Sequence, residues 1–163
     1  MPVLRYVGLP AHVADEVRHS MKSPRYGHPA HRELASGTGP CRSCLRTFEI
    51  GRDERVLFTY QPFSDPASLP APGPVFIHAD PCERYDALEL PPDFRELPVV
   101  VEAYGAEGRL LFQERVIGDT TEAVLDRAFA STEAAYAHLR NGKAGCFMAR
   151  VEPVEVPEYA TTA

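Results

Sequence analysis

Residues 98–117 read PVVVEAYGAEGRLLFQERVI, and this stretch decides the fold class. Two β-rich runs, Pro98–Tyr104 and Arg109–Ile117, flank a short GAEG reversal whose glycines supply the backbone freedom a tight turn needs. The first run opens on a continuous apolar VVV before Glu102, the pattern of a strand covered on both faces. An antiparallel hairpin is predicted here.

Downstream, Asp119 and Glu122 stand at capping-box spacing, predicting a helix to about Ala130 with Ala123, Val124, Ala128 and Phe129 toward the core. Tyr136–Arg140 and Cys146–Val151 pair across NGKAG as a closing strand pair, and residues 153–163 form a frayed tail. Upstream, Val75–Ala79 is apolar except for His78 and reads as a central strand. Val56–Tyr60 reads as its neighbour, and a weaker strand is expected at Leu45–Phe48. Val3–Val7 opens the chain as a strand. Pro10 then starts a short helix, AHVADEVRHSM, with Val13 and Val17 inward. Residues 22–40, KSPRYGHPAHRELASGTGP, have no sustained period and read as a long loop, and QPFSDPASLPAPGP (61–74) reads as a Pro-rich connector.

Runs of strands with two helices outside them predict an α+β fold, a mostly antiparallel sheet with two short helices and long Pro/Gly-rich loops. At 163 residues the chain fits one domain, 1–163. The 16 prolines are about twice ordinary usage, which argues against long helices. No Gly-rich phosphate cradle or nucleophile elbow follows any strand, so the common nucleotide and hydrolase folds lose support.

Seventeen basic against 23 acidic residues give a net charge of −6, and no dense Lys/Arg stretch exists to neutralise a phosphate backbone, so nucleic acid is not an expected partner. Arg25, Arg32, Arg42, Arg46, Arg52 and Arg55 bias the first third toward a modest anion site, or toward a solvated face balanced by Glu33, Glu49, Asp53 and Glu54. The opening MPVLRYVGLPAHVADEV lacks a secretory pattern, and no apolar run approaches bilayer length. A soluble cytoplasmic protein is expected, without a membrane partner, and its four cysteines are expected as thiols or metal ligands.

Cys41-Arg-Ser-Cys44 carries the most chemistry, because two intervening residues let two thiolates converge on one cation or on each other. Zinc as a cofactor needs about four such ligands. His78 and Cys82 complete one set with Cys41 and Cys44, and His28 and His31 complete another. The first is favoured because a polar residue ending an apolar strand needs a partner. Packing of the thiols as small hydrophobes stays open, as does a dithiol redox pair, although a strand after Cys44 does not suit one. Cys146, in AGCFMARV, reads as a buried packing residue. Asp80, Glu83 and Tyr85 neighbour the cluster in sequence and could serve acid–base work.

PCRSCL (40–45), VLFTYQPF (56–63), GPVFIHADPCERYDAL (73–88) and GCFMARV (145–151) together resemble an uncharacterised bacterial family, catalogued as domain of unknown function 1203, from about Pro40 to Val151. The resemblance implies no activity, cofactor or site residue, and whether the protein is an enzyme stays open. The leading expectation is a small-molecule or anion site where Arg42, Tyr60, His78 and Cys82 converge. The alternative is a zinc-stabilised protein or a protein-interaction module without catalysis.

Overall fold

The computed structural model describes residues 2–63 and 72–155. Nine strands and two α-helices follow one another as β1 (Val3–Val7), α1 (Ala11–Ser20), β2 (His31–Leu34), β3 (Glu54–Tyr60), β4 (Gly73–His78), β5 (Asp86–Ala87), β6 (Pro98–Tyr104), β7 (Leu110–Ile117), α2 (Thr121–Ala128), β8 (Tyr136–Asn141) and β9 (Phe147–Val154). They form a six-stranded sheet, β5-β1-β9-β8-β6-β7, and a three-stranded sheet, β2-β3-β4. Every pairing is antiparallel, so the α+β class with mainly antiparallel sheet holds.

The 98–117 hairpin forms as read, from Pro98 opposite Ile117 to Tyr104 opposite Leu110. β6 is an interior strand, and Val99, Val101 and Ala103 are buried in the core of the large sheet with Val124, Leu125, Leu139, Met148 and Val151. The second core lies under α1 and the small sheet, joining Leu9, Ala14, Val17, Cys41, Cys44, Phe48, Val56, Ile77 and Phe147. α1 reaches it through Ala14 and Val17, three residues apart on one face. Burying Val17 completely contributes about 1.5–3 kcal/mol.

Several elements differ from their sequence reading. The 22–40 segment is partly sheet: His31–Leu34 lie along β3, with Arg32 opposite Val56, and Lys22 bridges to Pro29. Cross-strand backbone bonds, invisible to local periodicity, decide this. No strand forms at Leu45–Phe48; within it only Thr47 pairs, with Pro40, because Leu45 takes a left-handed φ of 60°. β4 lies at an edge of its sheet instead of the centre. Val75 and Ile77 are buried all the same, and the free edge is covered because the Pro40–Thr47 turn lies beside it, with Arg42 N–H donating to Phe76 O at 2.9 Å.

The Asp119–Glu122 capping box does not form. A 3₁₀ turn, Gly118–Thr120, precedes α2, Thr120 is its N-cap without a side-chain cap bond, and the Thr120 hydroxyl turns back to Ile117 O at 2.7 Å. The shifted start buries Leu125 and exposes Ala123. Pro153 and Val154 belong to β9, paired with Leu4 and Val3, so the tail expected from Pro153 begins later. Residues 64–71 of the connector and 156–163 of the tail lie outside the described residues. No helix among the described residues is long and apolar enough to cross a membrane.

β1 leaves its sheet against the Cys41–Cys44 turn, where Leu9 N–H donates to Arg42 O at 2.9 Å. Gly8 permits this approach: a Cβ there would stand 2.1 Å from Ser43 O and 2.8 Å from Arg42 O. Both are backbone atoms, so relief requires moving the turn. Gly8→Ala is expected to cost about 3 kcal/mol, read as a lowered midpoint in urea unfolding; an unchanged midpoint would show that the turn yields freely.

Candidate metal centre

The Cys41–Cys44 segment is a tight reversal. Cys41 N–H donates to Arg46 O at 2.9 Å and Leu45 N–H donates to Cys41 O at 2.8 Å. Leu45 carries the left-handed residue such a reversal demands, a place usually given to glycine. Its side chain is 1% exposed, and that burial offsets the backbone cost. Opposite, β4 ends at His78 and the chain turns through Cys82. Arg84 fixes the return, its Nε donating to Gly8 O and Leu9 O, both at 3.1 Å.

These pieces bring one ligand atom each from Cys41, Cys44, His78 and Cys82 within 4.8 Å of one another, an arrangement that could hold a metal ion. Cys41 and Cys44 are buried, while His78 and Cys82 are half-buried. Cys41 Sγ lies 3.8 Å from Cys82 Sγ, and Cys44 Sγ lies 3.4 Å from His78 Nδ1. The surrounding groups face the sulfurs with donors. His78 N–H points to Cys41 Sγ at 3.3 Å, and Arg18 reaches Cys82 Sγ at 3.3 Å while its Nε holds His78 O at 3.0 Å. His78 Nε2 meets Asp53 Oδ2 at 3.2 Å. That carboxylate is itself anchored by Glu49 N–H at 2.7 Å, and the His78 ring packs 4.7 Å from Phe48.

Crowding three thiols and an imidazole together perturbs all four. Hydrogen bonds from Cys41 and Cys82 favour the Cys44 thiolate and lower its pKa. Cys41, donating to Cys44 and Cys82, is pushed up. Its bond to Cys41 lowers Cys82. Chiefly through its bond to Cys44, His78 is raised to about 10.

The other residues singled out in the sequence are distributed differently. His28 is exposed and stacks on Tyr26, and His31 is exposed on β2 opposite Leu57; neither belongs to the cluster. Arg42 is 3% exposed and fully engaged inside the protein. Its Nε donates to Phe147 O at 2.5 Å, its remaining nitrogens donate to Pro40 O and to Cys146 Sγ, the latter at 2.9 Å, and burial lowers its pKa. Cys146 is therefore half-buried and bonded, not a plain packing residue. Tyr60 packs on Phe147 at 5.5 Å and lines a separate cavity with Arg84 and Arg150. Asp80 and Glu83 are exposed, and the Tyr85 hydroxyl donates to Glu89 O at 2.7 Å.

Asp53 and Arg18 escaped the sequence reading as site residues. Asp53 stands in a polar turn and Arg18 on a helix 60 residues before His78, and no spacing rule connects either to the cysteines.

A family model described as "Protein of unknown function (DUF1203)" matches residues 38–153, which include all four cluster residues. No curated protein and no solved structure matches the chain.

Arg42→Lys keeps the charge but cannot span Phe147 O, Pro40 O and Cys146 Sγ together. A loss of about 3 kcal/mol is expected, measurable by urea denaturation. A loss under about 0.5 kcal/mol would mean the three bonds are replaceable.

Proposed function

The chain belongs to the DUF1203 family, and from its cluster we propose that the protein is a zinc-stabilised domain in which Cys41, Cys44, His78 and Cys82 hold one zinc ion in a structural role. The observation that carries this reading is the spacing of the donors. Zn–S bonds of about 2.3 Å at tetrahedral angles separate two sulfurs by about 3.8 Å, and Cys41 Sγ and Cys82 Sγ stand 3.8 Å apart. A sulfur and an imidazole nitrogen on the same ion are separated by about 3.5 Å, against 3.4 Å between Cys44 Sγ and His78 Nδ1.

The chemistry of the donor set agrees. Three thiolates and a neutral imidazole are soft, nitrogen- and sulfur-based ligands suited to zinc. Asp53 on the far nitrogen of His78 supplies the carboxylate partner that fixes tautomer and ring orientation at such sites. Three thiolates on a divalent ion leave one negative charge, which Arg18, donating to Cys82 Sγ, and the nearby Arg46, whose pKa Cys44 raises, offset. Four protein ligands complete a tetrahedron and leave no open position for substrate, so the role is anchoring, not catalysis. Four free cysteines suit a reducing compartment, the cytoplasm in this reading. An anion site built on Arg42, His78 and Cys82 has less support, because Arg42 is taken up by Phe147, Pro40 and Cys146.

Elemental analysis of protein purified without chelator is expected to give one zinc per chain. Removal by a strong chelator is expected to lower the melting temperature by more than about 10 °C, since metal-binding energy is folding energy here. Cys82→Ser should lose the metal and His31→Ala should keep it. Asp53→Asn should weaken zinc about 10–100-fold in chelator competition. Sub-stoichiometric metal together with an unchanged melt would overturn the proposal.

A further inference from the structure

Away from the four-ligand cluster, a cavity of about 340 Å³ opens between the end of β1, the end of β3 and the β8–β9 pair, with Arg5, Tyr60, Arg84, His138, Phe147 and Arg150 in its wall. That volume lies in the range of small-ligand sites. We propose that this cavity is a binding site for a small organic carboxylate with a flat apolar body, its carboxylate on Arg84 within reach of Tyr60 and His138, and its body against Phe147.

Charge balance motivates the anion. Arg5 gives two bonds to Asp86, at 2.7 and 2.6 Å, and one to Glu152 at 3.1 Å. Arg150 bonds Glu152 at 3.1 Å and lies over the Tyr136 ring at 4.1 Å. Two carboxylates thus answer two of the three arginines. Arg84 has no acidic partner within ion-pair distance among the described residues, and its Nε and one terminal nitrogen hold only the Gly8 and Leu9 carbonyls. One positive charge is left over in a partly desolvated wall, which matches a monoanion; a phosphate dianion would bring an excess negative charge beside Glu152.

His138 is an independent sign of a missing partner. It is 1% exposed, it lines the cavity, and its Nδ1 is buried without a hydrogen bond. The rings of Phe63, Tyr104, Tyr136 and Phe147 surround it at 5.0–5.4 Å. Burial, with Arg150 and Arg140 nearby, holds its pKa down to about 3, so the ring is neutral and offers one donor and one acceptor. A buried imidazole with an unmet nitrogen is costly in a core and useful in a binding wall. Val7, Leu9, Pro10 and Pro62 complete an apolar lining, which favours a ligand with a hydrocarbon body over a bare ion.

Benzoate, benzamide and phenyl phosphate separate the alternatives, with the full chain as purified and binding followed by calorimetry and by ¹⁵N shifts of the histidine rings. Benzoate is expected to bind saturably with a Kd below about 1 mM and to shift the His138 nitrogens. Benzamide, of the same shape without the charge, should bind at least about 10-fold more weakly. Tyr60→Phe keeps the ring packing and should weaken benzoate about 3–10-fold with an unchanged melt. Arg84→Gln should weaken it further, and Arg127→Gln on the surface of α2 should not. No benzoate binding by folded protein, benzamide binding as tightly as benzoate, or unchanged affinity in Tyr60→Phe would each overturn the site. Phenyl phosphate binding as tightly as benzoate would overturn the carboxylate class.

Discussion

A guanidinium removed from water has to find its partners inside the protein, and this requirement organises the molecule around Arg42. Its side chain joins the Pro40 carbonyl of the turn, the Phe147 carbonyl of β9 and the Cys146 thiol. Its backbone joins Leu9, at the exit of β1, to Phe76 in β4. One residue thus ties the turn to both sheets. The bonds are directional and the charge is costly to leave unmet, so the turn has one place to sit. Cys41 and Cys44 flank Arg42 closely in sequence, and that placement aims their thiols at His78 and Cys82.

The same turn balances opposing local terms. A left-handed non-glycine residue costs roughly 1–2 kcal/mol, and burying a leucine side chain contributes about 1.5–3 kcal/mol; Leu45 does both. Its side chain belongs to the core of the large sheet, whereas Cys41 and Cys44 belong to the core under α1. The turn therefore stitches two hydrophobic interiors together, and a conformation unfavourable in isolation becomes the one that satisfies both.

How much of this was legible in the sequence follows from which forces are local. The 98–117 hairpin was readable because apolar runs and glycines lie side by side, and the β8–β9 pair was readable for the same reason. Cys41-x-x-Cys44 with His78 and Cys82 could be picked out by spacing and by the oddity of a histidine ending an apolar strand. His28 and His31, with two residues between them against three between His78 and Cys82, were an open alternative in the sequence, and the pairing of His31 into β2 takes it away from the cluster. Leu45 misled because nothing in a β-rich string announces a positive φ. Asp53 and Arg18 were illegible since their roles depend on tertiary approach. Arg42 was read as a ligand group because sequence shows a charge and not the carbonyls that absorb it.

The strand order also governs how the molecule behaves in a crowd. Any sheet with open margins offers unpaired amides to a neighbouring chain, and proteins blunt those margins to stay dispersed. Here β5 has two residues and β2 has four, with Arg32 and Glu33 among them. β7 places Gln113, Glu114 and Arg115 along its length. The fourth margin, β4, is shielded by the turn, with Phe76 O taken by Arg42 and His78 N–H by a sulfur of Cys41. The thiol that points into the cluster thus also closes the last seam at which one molecule could be zipped to another, so loosening the turn would unmask an aggregation-competent edge as well as disturb the site.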